Sequence, residues 1–417
     1  MYDAIIVGAR VAGSPTAMLL ARKGYRVLLL DRATFPSDTL STHQLQLPAS
    51  LMLKGWGLLD KIQATNPGAA RHVVFDMGDV FLEGTFPDVE GINAVHSPRR
   101  TILDKILVDA AVDAGAELRE GFIAEELIWE GEHVVGIRGR TIQGSAVNER
   151  ARIVIGADGR HSLVAKAVNA PVYNQHPVLT CGYYGYWEGV PLKGGEMYRR
   201  GARILGIWPT NDHLTMIYVA WPIAEFDNFR ADVEGNYQAT IDLVPGLAER
   251  VRAGKRVGRI SGAGDIPNFY RKPYGPGWAL VGDAGFVKDP VTGTGISDAF
   301  RDAQLLADGV ESAALGRDPT KALSDYEQKR NAASKPYYDL TIDSARMTPF
   351  APEQVRLMNA LADDPALTQK FFGLITGLVH PADLLSPKKV FHILGMRGTA
   401  KLMLSRILPP RSAASPA

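Results

Sequence analysis

Gly8 and Gly13 stand between the apolar run Tyr2-Asp3-Ala4-Ile5-Ile6-Val7 and a helical pattern, a spacing that suits a phosphate cradle. Gly8 lets the chain turn tightly and Gly13 lets a helix pack close to a strand. Ala12 lies beside it, and the free N–H groups at the helix start would face a pyrophosphate with the positive end of the helix dipole. Asp31 ends the next apolar run, Arg26-Val27-Leu28-Leu29-Leu30, where an acid accepts hydrogen bonds from ribose hydroxyls. Arg10 occupies the place of the second Gly in G-x-G-x-x-G, so its long cation either adds a charge contact to the ligand or points to solvent.

Strand, turn, helix and second strand make one βαβ unit, whose helix closes at Gly24. The loop from Ala33 to His43 is rich in turn formers and hydroxyls, a poor strand or helix and a candidate for function. Residues 44–66 read as helical and 72–96 as short strands. A clear amphipathic helix begins at Arg99-Arg100 and closes at Gly115. Strands are expected over 116–119, 122–129, 133–140 and 151–155, the last ending at Gly156-Ala157-Asp158-Gly159. From 173 to 274 aromatics and alternating segments predict an antiparallel sheet. The strand Trp278-Ala279-Leu280-Val281-Gly282-Asp283 and a helix over 296–312 resume the first pattern, and the chain beyond about 345 reads as helical.

The 417 residues carry a net charge of +1, which argues against recruitment of nucleic acid by charge and favours a small-molecule substrate. The single Cys181 excludes an internal disulfide and a Cys-based zinc site, so no metal is expected and a reducing, cytoplasmic setting is. No apolar run is long enough to span a bilayer, and the chain starts its first strand without a signal-like segment.

Three separated segments occur in a telling order: Gly8 to Gly13 with Asp31-Arg32; Gly156-Ala157-Asp158-Gly159; and Gly282-Asp283 followed by Asp289-Pro290-Val291-Thr292-Gly293-Thr294-Gly295. Over roughly residues 1–315 the chain resembles the FAD-dependent monooxygenases of the para-hydroxybenzoate hydroxylase fold, a superfamily that also holds flavin halogenases and geranylgeranyl reductases. The resemblance implies an α/β fold, with a discontinuous Rossmann-like FAD-binding domain over 1–70, 97–172 and 275–345. An antiparallel-sheet substrate domain, 71–96 and 173–274, is inserted in it, and a helical region, 346–417, follows. It makes Gly8, Ala12 and Gly13 the pyrophosphate turn, Asp31 the ribose acid, and Arg32 a neighbour of the adenosine. Arg100 would reach FAD from its helix start, Asp158 would lie near FAD and a transient nicotinamide, and Asp283 would bind ribityl or ribose hydroxyls. Gly293, Thr294 and Gly295 would present backbone N–H groups to the flavin ring, where a helix N-terminus stabilises the anionic reduced form.

Each assignment has a plainer rival. Asp158 also suits an ordinary Asp-Gly turn and Asp283 a helix cap. His43, the imidazole of the loop that the family places beside the flavin, is a candidate catalytic group or a simple capping residue. Tyr184 and Tyr186 share one strand face, with Tyr183 and Trp187 on the other. Together with Trp208, Tyr218 and Trp221 they line a substrate pocket or fill a core.

With one Gly-rich βαβ unit, NADH or NADPH is expected as a transient donor to FAD. The resemblance implies insertion of one oxygen atom from O2, through a flavin C4a-hydroperoxide, into an aromatic or polycyclic substrate. A monomer or homodimer fits. The halogenase and reductase segments of the superfamily carry leading aromatics that Ile204-Leu205-Gly206-Ile207-Trp208-Pro209 lacks, and halogenation asks for an active-site Lys that the sequence does not place. Reduction of isoprenoid double bonds stays the main alternative, because the apolar and basic C-terminal region could cover a lipid-like substrate, cap the core or meet a partner. Flavin held as a purely structural or sensing ligand is the non-enzymatic alternative.

Overall fold

The computed structural model describes residues 1–407. The elements that position the site are, in chain order, β1 (Tyr2–Val7), α1 (Gly13–Arg22), β2 (Val27–Leu30), α2 (Arg100–Asp113), β3 (Ala146–Gly156), β4 (Thr180–Glu188), β5 (Thr215–Pro222), β6 (Trp278–Leu280) and α3 (Gly295–Ala314).

The first layer is a parallel sheet in the order β6, β3, β1, β2, Glu117–Arg119. Its strands are near-continuous apolar runs because both faces are covered, and β2 is buried at every residue. Helix α1 packs on β1 and β2 of this sheet and against the helices α2 and α3. The hairpin Phe122–Glu130 with His133–Thr141 extends from β3 as an antiparallel flap.

The second layer is a seven-stranded sheet ordered Lys255–Ala263, β4, β5, Arg203–Pro209, Gly195–Arg200, His72–Asp76, Phe81–Thr85. It departs from the expected all-antiparallel pattern at one place, where His72–Asp76 pairs parallel with Gly195–Arg200. Its inner face carries Tyr184, Tyr186, Trp208, Met216 and Tyr218 into the core shared with the first layer. Its outer face carries Trp187, Ile217, Val219 and Trp221, so Trp221 turns away from the wall on which the sequence reading put it.

That apolar outer face needs a cover, and three helices absent from the sequence reading supply it: Phe226–Ala231, Val233–Asp242 and Pro245–Ala253. Phe229, Tyr237, Ile241 and Leu247 are buried against it. The stretch 44–66 also differs, with helices only over Leu47–Gly55 and Leu59–Gln63. Leu45 instead exchanges two backbone hydrogen bonds with His96. After the long helix Pro319–Ala345 the chain is helical at Pro352–Ala362, Pro365–Ile375 and Pro387–Ile407, and the C-terminal stretch 408–417 of the expected helical region lies outside the described residues. Phe371 and Phe372 of that region pack on Phe75 and Phe86, which makes it a cover for the second sheet.

Candidate functional site

The turn after β1 is interlocked. A Cβ on Gly13 would lie 1.7 Å from the Gly8 carbonyl oxygen, and one on Gly8, whose φ is +102°, would meet the Ala157 oxygen at 2.4 Å. Asp31 accepts hydrogen bonds from Ala9 N–H (2.7 Å) and Ala33 N–H (2.8 Å), so the acid at the end of β2 braces the turn and its own loop. Arg32 beside it is exposed. Ala12 is buried, and a Cβ on Gly282 would be 2.6 Å from its methyl, which brings the start of α1 against the segment leading to Asp283.

Arg10 does not simply point to solvent. Its guanidinium donates to Asp104 (2.7 Å), the Ser37 hydroxyl (3.0 Å) and the Asp38 carbonyl (3.2 Å), which ties the turn to α2 and to the following loop. It is therefore an intraprotein brace that shares the single Asp104 carboxylate with Arg100. Asp104, fully buried, also takes a bidentate pair from Arg100 at 3.0 Å each. The (i, i+4) spacing of Arg100 and Asp104 was legible on the predicted helix. The third partner, 94 residues away, was not.

Asp158, just after β3, accepts from Leu163 N–H (2.7 Å) through one oxygen, while the second oxygen is buried without a partner. Burial raises its carboxyl above the usual range, against the pull of Ser162 and the backbone N–H groups. Asp283 is open to approach yet enclosed by protein. That desolvation raises its carboxyl, and the Arg100 and Arg160 charges oppose the rise. Gly293, at φ +61°, would put a Cβ 2.1 Å from the Gln44 side-chain oxygen, whereas a Cβ on Gly295 would meet nothing within 4 Å. The Thr294 and Ser297 hydroxyls at the start of α3 are buried without partners.

His43 is fully buried at a left-handed φ of 62° and hydrogen-bonds through Nε2 to the Tyr186 hydroxyl. Its ring is nearly parallel to that of Tyr186 and joined to it end to end by this hydrogen bond, with centroids 5.8 Å apart, and it meets Tyr184 edge-on at 5.6 Å. Burial, reinforced by Arg100 and Arg99, drives its pKa down to about 3, so the imidazole is neutral at ordinary pH. Burial also raises the Tyr186 phenol, which stays protonated. Arg99 lies over the Tyr186 ring at 4.2 Å. His43 Nδ1 is left without a partner. Trp208 packs where a Cβ on Gly195 would stand 2.2 Å from its ring, a core position, and the buried Tyr218 hydroxyl has no partner. Sequence reasoning missed Gln44, whose packing on Gly293 joins the His43 loop to the start of α3.

A family model described as FAD binding domain matches residues 1–341. The chain belongs to this FAD-binding family. Among relatives of this FAD-binding protein, a tryptophan 2-halogenase of Chondromyces crocatus is 24% identical over 337 residues, 78% of this chain and 64% of that halogenase. A digeranylgeranylglycerophospholipid reductase of Methanopyrus kandleri is 28% identical over 371 residues, covering 84% of this chain and 91% of the reductase. In fold it is similar to a flavin-dependent brominase, with a TM-score of 0.82 and 19% identity over 98% of this chain and 100% of that one. The protein is an FAD-dependent oxidoreductase-family flavoprotein of mixed α/β fold.

The residues present fit FAD. The first-turn N–H groups of a 20-residue helix have no partners within it, and they open at Gly295 onto space that no side chain fills. The orphaned Thr294 and Ser297 hydroxyls at the same helix start, and elsewhere the exposed Asp283 and the spare Asp158 oxygen, supply further donors and acceptors. Among the described residues no helix is long and apolar enough to cross a membrane.

Proposed function

We propose that the protein is an FAD-dependent, NADH- or NADPH-consuming monooxygenase that inserts one oxygen atom from O2 into an aromatic or polycyclic substrate. Bound FAD would supply the redox chemistry and the activation of oxygen. Gly8, Ala12 and Gly13 would shape the phosphate turn, Asp283 and Asp158 would take hydroxyl donors, and Gly293, Thr294 and Gly295 would aim the positive end of α3 at the ring. A dipole of that sort stabilises adjoining negative charge by about 0.3–2 kcal/mol.

The observation that carries the reading is the neutral His43–Tyr186 pair, set among Tyr184 and Arg99 one residue from the Gln44 contact to Gly293. If Tyr186 donates to Nε2, the His43 proton sits on Nδ1, and that unpartnered donor suits a substrate hydroxyl or carbonyl. The aromatic rings would hold the substrate and exclude water from it.

The halogenase and reductase relatives keep two other outcomes in play, and one experiment separates all three. The FAD-reconstituted protein is given NADH or NADPH under labelled O2 with a panel of aromatic substrates. Substrate-stimulated nicotinamide oxidation with label in the product supports the proposal. A brominated or chlorinated product, formed only with halide and a separate flavin reductase, would replace it with halogenation. Anaerobic saturation of an isoprenoid alkene would replace it with reduction.

A further inference from the structure

We propose that the cleft between residues 63–71 and the turn 209–215 is a second small-molecule site, one that takes an oxyanion group, carboxylate or phosphate, carried on a short apolar body. The inference rests on no feature of the FAD site.

The cleft holds about 660 Å³, a volume that suits a small organic ligand. Arg71, His96 and His213 line it together with the apolar Val190, Leu192 and Leu214, and no Asp or Glu is among its lining residues. Arg71 is exposed and, among the described residues, its guanidinium has no carboxylate partner. Surface arginines elsewhere on this chain find one readily, as Arg138, Arg140 and Arg150 do. His96 is only 6% exposed, and its Nδ1 is buried without a hydrogen bond. Burial and the Arg71 charge hold the His96 ring neutral, with its pKa down to about 4, so it can offer one N–H donor beside the guanidinium.

The walls are held for the purpose. Asp212 and His213 adopt successive left-handed φ values of 61° and 57°, a costly arrangement for residues with side chains. Their turn is pinned by Thr210 to the Ser97 carbonyl (2.5 Å) and by Asn211 to Arg99 N–H (2.8 Å) and the Thr65 carbonyl (2.7 Å). His213 is thereby held at the cleft rim, and His96 is fixed from behind by its two backbone hydrogen bonds to Leu45.

The test uses the full-length, FAD-loaded protein with ¹⁵N-labelled histidines, titrated separately with benzoate and phenyl phosphate. The expected result is a saturable shift of the His96 ring nitrogens by at least one probe. Arg71→Ala, a surface change that leaves the fold intact, should weaken that binding at least about tenfold, the worth of one charge-assisted hydrogen bond. A response to benzoate alone assigns a carboxylate ligand, and one to phenyl phosphate alone a phosphate. No saturable response at His96, a response confined to His43, or undiminished binding to Arg71→Ala would overturn the proposal.

Discussion

His43 and Tyr186 lie 143 residues apart in the chain, yet they share a buried hydrogen bond with their rings within 6° of parallel. The pair joins the loop after β2 to the inner face of the second sheet. Tyr186→Phe deletes the hydroxyl and leaves Nε2 unpaired in a dry site, at a cost of about 1–3 kcal/mol. Thermal denaturation should register the loss, and turnover of the aromatic substrate should fall while FAD binding persists.

His43 also makes stability depend on pH. Its folded pKa, about 3, lies below the ordinary 6.5, so folding favours the neutral ring. The contribution is complete above about pH 6.5 and is lost progressively as pH falls toward 3. Histidine NMR should find the ring uncharged at pH 5, and a charged ring there would refute the buried placement.

Asp289 acts with the opposite sign. Burial lifts its carboxyl from 3.8 to about 6, so the folded state holds the proton more tightly than the unfolded chain. Its contribution is present below about pH 4 and lost as pH rises through 6, a change on the order of 3 kcal/mol. Asp289→Asn keeps an acceptor for Val291 N–H and can donate to the Thr180 hydroxyl that now donates to it. Urea denaturation across pH 4 to 7 should show a flatter profile for the variant.

Asp104 pairs with Arg10 and Arg100 at once, one carboxylate between two guanidinium groups. Asp104→Ala leaves the buried Arg100 uncompensated, and removing one partner of a buried pair costs about 3–5 kcal/mol. The midpoint of unfolding should drop accordingly, with Arg10→Ala milder because that side chain is 25% exposed.

The glycines separate packing from cofactor geometry. Gly13→Ala must displace the Gly8 carbonyl, and overpacking of this severity costs about 3 kcal/mol or more. Gly293→Ala adds a clash with Gln44 to about 1–2 kcal/mol of left-handed strain. Gly295→Ala should leave apoprotein stability unchanged or slightly raised, because its Cβ meets no protein atom, while FAD affinity measured by fluorescence falls.

Local pattern was enough for the βαβ unit, the helix from Arg100 and the three Gly-and-Asp segments, because turn chemistry, helix period and strand period are short-range properties. The same local reading passed over the helices between Phe226 and Ala253, since the need for them arises from an apolar sheet face that exists only once β4 and β5 have paired. Arg10 shows the limit most sharply. Its position beside Gly8 was evident, but its orientation depends on Asp104 and Ser37, which reach it only in the folded chain. His43 was equally ambiguous as a loop residue, and its neutrality comes from burial under Tyr184 and Tyr186 beside two arginines. Residue type and spacing thus marked the candidate positions for phosphate and ribose groups. Which charges stay free and which polar atoms stay unpaired was decided by tertiary packing, because desolvation and long-range ion pairs are set by neighbours that the local sequence does not contain.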